Sequence, residues 1–176
     1  MPILDDFDFE AFWDKSEYAL TEYHDDILTD DLLNRVERSL GYSLPKAYVA
    51  LCRNRNGGAP LRTCHSTPNP TSWAHDHVAI TNIKAIGFKN PWSLCGELGQ
   101  ENTLVEWGYP PIGVYFGDCP SAGHDMLCLD YRILDANGEP MVVHIDQEYD
   151  YKITPVAENF ETFLRGLKLE EDFETA

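Results

Sequence analysis

The 176-residue chain carries 30 acidic and 13 basic residues, which gives a formal net charge of −17 at pH 7. A surface this acidic repels phosphate backbones and anionic lipids, so we expect neither nucleic acid nor a membrane as a partner. Hydrophobic residues make up 43% of the chain and aromatic residues 12%, enough for a packed core and unlike a disordered chain. The length fits one domain, which we predict over residues 1–176.

The cysteines and the N-terminus indicate a reducing compartment. The cysteine count is five, which is odd, and no two cysteines form a Cys-x-x-Cys pair, so neither a disulfide framework nor a zinc ribbon is expected. The first ten residues, MPILDDFDFE, lack the basic region and the apolar run of a signal peptide. No segment approaches the ~20 apolar residues of a membrane helix. We therefore predict a cytoplasmic protein.

The first third of the chain is predicted to be helical. The second helix has Thr29 as its N-cap and ends at Gly41, a residue that tolerates left-handed backbone. The third helix opens at Pro45 and ends at the Asn-Gly-Gly of residues 56–58. One face of the first helix is formed by residues at helical spacing, namely Phe9, Phe12, Trp13 and Leu20.

From residue 78 onward the pattern predicts strands. A loop over residues 59–77 comes first, and Asn137-Gly138 predicts a tight turn. A final helix is predicted over residues 160–167. Helices, then strands, then a helix indicate an α+β fold, with N-terminal helices, a central, mostly antiparallel twisted sheet and a C-terminal helix packed on it. The predicted strands cover residues 78–83, 112–117, 126–131, 141–146 and 149–153.

Three segments, in this order, carry a family resemblance. The first is DLLNRVERSLGYSLPKAYVALCRNRNGG at residues 31–58, and the second is PIGVYFGDCPSAGHDMLCLDY at residues 111–131. The third is the strand MVVHID followed by NFETFLRGL. Together they resemble the SUKH superfamily, in particular the Smi/Knr cell-wall-regulator-like family of immunity-protein type. The resemblance covers a core of about residues 28–168, with an N-terminal helical extension over 1–27 and an acidic tail over 170–176.

The resemblance implies a protein-binding module that is not an enzyme and uses no cofactor. It implies a bacterial immunity protein that binds and neutralises a toxin, often a nuclease domain, so we expect a basic toxin domain as the protein partner. An intracellular regulatory or scaffold protein of the same fold is the first alternative. The family usually shows Gly-Gly shortly after its Gly-Asp turn, and here Ser121 to His124 replace it.

The partner-binding residues are expected among acidic side chains near the strand ends. Asp118 lies in the Gly-Asp turn, where binding local backbone N–H groups is the simpler interpretation, and His124 and Asp125 extend the same loop. Asp146, Glu148 and Asp150 alternate, so a strand would place all three on one face, as an acidic strip or an ordinary solvated face. We expect the aromatic residues of the loop-rich middle in the core, the default for large side chains: Trp73, Trp92, Trp107 and Tyr109.

A metal-dependent enzyme built on the 75–77 and 117–125 loops is the second alternative. His75, Asp76 and His77 offer zinc ligand types that Asp118, His124 or a cysteine could complete. Solvated loop histidines are the favoured interpretation because the motif is unspecific, so no metal site is predicted. Cys128 lies in an apolar strand, where cysteine behaves as a buried hydrophobe. Without a GxSxG motif, a P-loop or GxGxxG, no catalytic residue is predicted.

Overall fold

The computed structural model describes residues 3–173, which form six helices, seven strands and two 3-10 turns. The helices are α1 (Phe9–Phe12), α2 (Glu17–Glu22), α3 (Asp30–Leu40), α4 (Lys46–Asn54), α5 (Gln100–Val105) and α6 (Phe160–Gly166). The strands are β1 (Cys64–Ser66), β2 (His77–Ala79), β3 (Asn82–Ile83), β4 (Gly113–Asp118), β5 (Asp125–Leu134), β6 (Pro140–Asp146) and β7 (Lys152–Ala157). The 3-10 turns are Gln147–Tyr149 and Glu170–Phe173.

The main sheet is a five-stranded antiparallel meander in the order β3-β4-β5-β6-β7, and β1 pairs with β2 in a separate ribbon. The predicted turn joins β5 to β6, where Gly138 has a φ of +79° and donates its N–H to the Asp135 carbonyl. The predicted α+β fold class is confirmed. No helix in the described part of the chain is long and apolar enough to cross a membrane.

Helices α3 and α4 begin and end close to where local signals place them. The Thr29 side chain accepts from the Leu32 N–H at 3.1 Å, and Gly41 ends α3 with a φ of +82°. Pro45 precedes α4, and Tyr48 of α4 packs against Phe160 of α6, with ring centroids 4.7 Å apart. Leu32 and Val36 of α3 and Tyr48 of α4 share one hydrophobic core with residues of the main sheet.

The predicted first helix is in fact two helices, α1 and α2. Trp13 interrupts it with extended backbone and forms an isolated bridge with Pro60. The next amide, Asp14 N–H, donates to the Ala59 carbonyl at 2.8 Å, and Ser16 caps α2. Pairing with this distant segment satisfies backbone groups that a continuous helix would have used, and it leaves Leu20 39% exposed.

The predicted strand over residues 78–83 is divided between the two sheets. The Ile80 amide donates to the Thr63 carbonyl, whereas the next amide, Thr81, donates to the Asp118 carbonyl of β4. The chain therefore leaves β2 and enters β3 within two residues. The sequence pattern did not predict β1 or α5.

The main sheet is buried on both faces. Leu127 and Val142 belong to the core beneath the helices, and Val143 and Ile145 belong to a second core that includes Tyr109. Side chains alternate along a strand. His144 and Asp146 of β6 therefore lie on the same face of the sheet as Val142, the face that the helices cover.

Candidate functional site

Of the six residues predicted to bind a partner, two are buried, one is partly buried and three are exposed. Asp125 and Asp146 are buried, with 2% and 0% of their surface exposed, and Asp118 keeps 14% of its side chain exposed. The carboxylates of Asp118, Asp125 and Asp146 contact partners inside the protein, so these residues can stabilise a binding surface but do not form it. The exposed group consists of His124, Glu148 and Asp150.

The predicted acidic strip on one strand face is wrong. Strand β6 ends at Asp146, and residues 147–149 form a 3-10 turn. Asp150 then has left-handed backbone, with a φ of +56°. The two-residue alternation of a strand stops where the strand stops, so Asp146 points inward while Glu148 and Asp150 lie on the surface.

A buried polar cluster surrounds His144, which has no exposed surface. Its Nε2 lies 2.6 Å from Oδ2 of Asp125, and its Nδ1 lies 3.5 Å from Oδ2 of Asp146 without forming a hydrogen bond. The register between β5 and β6 creates this arrangement, since Asp125 pairs with Asp146 and Leu127 pairs with His144. One imidazole therefore faces two carboxylates inside the protein.

Two serines complete the contacts of these carboxylates. The Ser121 hydroxyl hydrogen-bonds Asp125 Oδ1, and it accepts from the Asp125 N–H at 3.1 Å. Ser72 donates its backbone N–H to Asp146 at 3.3 Å and also contacts this carboxylate through its hydroxyl. Ser72 lies 74 positions earlier in the chain, so the loop before β2 folds over the end of β6.

Cys119 adjoins the cluster. One ligand atom each from Cys119, Asp125 and His144 lie within 4.8 Å of one another, and all three residues are buried. Burial and the nearby Asp125 charge raise the pKa of the Cys119 thiol well above 9.0. Burial also opposes ionisation of Asp125, yet hydrogen bonds from His144 and Ser121 bring its pKa below 3.8. A thiol held protonated is a poor nucleophile, so the arrangement lacks the activated thiolate of a cysteine hydrolase.

The sequence-based metal candidate at residues 75–77 is not assembled. His77 lies on β2, stacks on Phe173 with ring centroids 4.4 Å apart, and contacts Asp76 through Nδ1 at 2.8 Å. The His75 side chain is 87% exposed. Within residues 3–173, the one group of three metal-ligating residues is the Cys119 group, and it contains none of the 75–77 residues.

Asp118 belongs to a second buried ionic cluster. Its carboxylate accepts from Lys84 Nζ at 2.8 Å, and Lys84 is fully buried. The same ammonium donates to the carbonyls of Trp92 and Leu98, each at 3.3 Å. This cluster is a neutral ion pair whose ammonium has three acceptors, so it joins β3 and β4 to the loop over residues 90–99.

The exposed residues form what we call the β6-end surface, defined as Trp73, His124, Glu148, Tyr149 and Asp150. His124 pairs with Glu148, and Tyr149 is 60% exposed. Trp73 follows the serine that binds Asp146 and is 37% exposed, so its predicted place in the core is wrong. Tyr109 is buried as expected, at 2% exposure.

His144, Cys119 and Ser72 were not singled out by the sequence pattern as members of one site. His144 carried a signal, because it is a polar residue within an otherwise apolar strand, and buried polar groups require partners. Ser72 carried none, since its contact with β6 depends on how a long loop folds back.

A model of the SUKH_6 family, described as SMI1-KNR4 cell-wall, matches residues 30–164. The match extends from the start of α3 into α6 and includes the buried polar cluster and the β6-end surface. No curated protein matches the chain with significance.

Proposed function

The chain belongs to the SMI1-KNR4 cell-wall family of the SUKH superfamily, and from this premise we propose that it is a bacterial immunity protein that binds and neutralises a toxin. Family membership fits a protein-binding role, either in immunity or in regulation. The net charge of −17 favours a basic partner, because summed charge steers association. A nuclease domain, which binds a polyanion, is the partner class that this charge would suit best.

The β6-end surface is the observation that carries the proposal. Tyr149 exposes aromatic surface between Glu148 and Asp150 in the chain, and exposed Trp73 follows Ser72, which binds Asp146 at the end of β6. Exposed aromatic side chains are the residue types that anchor protein interfaces. Carboxylates around such anchors raise the association rate toward a cationic partner more than they raise affinity.

The surface is held in place before any partner arrives. The Gln147 amide donates to the His124 carbonyl at 3.0 Å, which joins the 3-10 turn to the β4–β5 loop. Lys152 Nζ donates to the Pro70 carbonyl at 3.1 Å, and Ser72 binds Asp146. Three separate segments thus meet at fixed positions, and a preorganised surface loses less entropy on binding.

The first test is a pull-down from the host with the intact chain as bait, followed by identification of the bound protein. We expect a basic toxin domain whose activity falls to background when one equivalent of this protein is added. A stable complex with a host protein that is not a toxin would instead support the regulatory alternative. Recovery of a toxin whose activity is unchanged would contradict neutralisation.

Variants then locate the interface. With the partner in hand, Tyr149→Ala is expected to weaken binding by about 1–2 kcal/mol, mainly through faster dissociation. Glu148→Gln combined with Asp150→Asn is expected to slow association and to reduce its dependence on salt. The control is Glu97→Gln, which removes an exposed carboxylate near α5. An equal effect of the control would mean that net charge, not this surface, governs association.

A further inference from the structure

Unsatisfied polar atoms gather at one end of the sheet. Within residues 3–173, four buried side-chain nitrogen or oxygen atoms have no hydrogen-bond partner, and two of them are His144 Nδ1 and Thr154 Oγ1. These two residues are directly opposite each other in the β6–β7 register. A third atom, Asn82 Nδ2, belongs to the residue paired with Asp118. Buried orphan atoms are rare, and an unplaced ion or water is a common cause.

The same end of the sheet carries more acidic than basic groups. Asp125 and Asp146 both face His144, and in the described chain no lysine or arginine forms an ion pair with either carboxylate. Buried charges are normally paired or coordinate a metal. A cation between these groups would supply the missing positive charge.

The ligand atoms also suit one particular class of cation. A cysteine sulfur, an imidazole nitrogen and a carboxylate oxygen are the ligands that Zn²⁺ takes in proteins, with bonds of about 2.0–2.3 Å. Tetrahedral geometry at those bond lengths separates ligand atoms by about 3.3–3.8 Å. The three atoms of Cys119, Asp125 and His144 already lie within 4.8 Å of one another. Small side-chain shifts would therefore complete the coordination.

We propose that Cys119, Asp125 and His144 bind one Zn²⁺ ion, with Asp146 as a positioning residue behind the imidazole. His144 would bind through Nε2, which faces Asp125, and its Nδ1–H would then donate to Asp146, now 3.5 Å away. A carboxylate in that position fixes the tautomer of a zinc-bound histidine. Cys119 loses its thiol proton to solvent on binding, and three protein ligands leave one position for water.

This site differs from the cofactor-free chain predicted from the sequence, and it does not depend on the identity of the partner. The ion would fix the loop over residues 119–124 against β6. That loop carries His124, a residue of the β6-end surface, so the metal would stabilise the surface without being part of it.

The experiment uses the intact chain, treated with a chelator and then titrated with Co²⁺. We expect one cobalt per chain and a thiolate-to-cobalt charge-transfer band in the near ultraviolet, both abolished by added Zn²⁺. Cys119→Ser is expected to eliminate the band, and Asp146→Asn to lower zinc affinity about 10- to 100-fold. Matched controls are Cys95→Ser, a partly exposed thiol, and His75→Ala, an exposed histidine, and both should retain the wild-type spectrum.

Three outcomes would overturn the proposal. The first is a wild-type spectrum without a thiolate band. The second is a thiolate band that survives Cys119→Ser. The third is metal binding that depends on His75, which would indicate an adventitious surface ion. If Cys119→Ser fails to fold, the zinc affinities of Asp146→Asn and His75→Ala are compared instead. Weaker binding by Asp146→Asn alone supports the buried site, and weaker binding by His75→Ala alone indicates a surface site.

Discussion

Two buried ionic clusters lie at the same end of the main sheet, and they differ in how completely their charges are satisfied. Lys84 meets one carboxylate, Asp118, and two backbone carbonyls. His144 meets two carboxylates, Asp125 and Asp146, and its Nδ1 has no hydrogen-bond partner among residues 3–173. We call the Lys84–Asp118 cluster closed, because its positive and negative charges are paired. We call the His144 cluster open, because two carboxylates face one imidazole.

This difference indicates that the Lys84–Asp118 cluster stabilises the fold, whereas the His144 cluster is a candidate ligand site. The Lys84 ammonium and the Asp118 carboxylate neutralise each other, and the ammonium has three acceptors, so this pair holds β4 and the residue after β3 to the 90–99 loop. A cluster with orphan atoms and surplus negative charge is costly in the absence of a ligand. Sites that break the rule of polar satisfaction are where function is expected.

The largest expected effect comes from breaking the closed cluster. Lys84→Met leaves Asp118 without its cation and removes the donor to the Trp92 and Leu98 carbonyls. Removing one partner of a buried pair costs about 3–5 kcal/mol, so urea unfolding should show a loss of this size.

The double variant makes this prediction specific. Replacing both charges, as in Lys84→Met with Asp118→Leu, should recover most of the stability, because a well-packed apolar pair often matches a buried ion pair. Lys89→Met is the control, since Lys89 pairs with Asp26 on the surface and exposed pairs contribute little. A double variant as unstable as the single one would show that the loss comes from packing or from the unpaired Trp92 and Leu98 carbonyls, and not from the unpaired Asp118 charge.

The open cluster is expected to respond less. In chelator-treated protein, His144→Leu leaves Asp125 and Asp146 buried without the imidazole, yet each keeps its serine. We expect a loss of about 2–3 kcal/mol in urea unfolding, the size of a lost hydrogen bond to a charged group. Adding Asp125→Asn to this variant should restore part of the loss, and no recovery would argue against a charge excess in this cluster.

The sequence predicted the elements whose signals are local. Thr29, Gly41 and the turn at Gly138 each act within a few residues, and each stands in the structure where it was expected. The predictions that were wrong concern elements whose backbone pairs with residues far away in the sequence. Trp13 leaves its helix because residues 59–60 pair with that segment, and no local pattern records such a contact.

The candidate site was only half predictable for the same reason. Acidic residues near the strand ends could be recognised, but whether each points in or out depends on where β6 stops and on what covers it. Ser72 buries Asp146 from 74 positions away, and a left-handed Asp150 turns the chain outward. Loop closure over that distance has no short-range sequence signature.

A second buried histidine, His65, lies outside both clusters and is expected to make the free energy of unfolding depend on pH. His65 is 8% exposed and stacks on Phe163, and Lys168 adds positive charge nearby. Burial lowers its pKa below 6.5, so the unfolded chain takes up this proton before the folded chain does. The free energy of unfolding should therefore decrease as pH falls below 6.5.

His65→Gln removes the titrating ring and tests this assignment. Urea unfolding of both proteins between pH 7 and about 5, above the range where most carboxylates titrate, should give a smaller decrease for the variant. A parallel decrease in the two proteins would assign the pH dependence to other groups.

The smallest expected effect on stability lies on the β6-end surface. Asp150 has left-handed backbone, which costs a non-glycine residue about 1–2 kcal/mol. Asp150→Gly removes that cost but adds a similar entropy cost in the unfolded chain, so the net change should stay within about 0.5 kcal/mol. Asp150→Asn is the matched control, because asparagine tolerates this conformation while losing the charge. If both variants slow association with the partner equally and leave unfolding unchanged, the carboxylate acts in recognition. A loss of stability in either variant would instead assign Asp150 a role in holding the turn after β6.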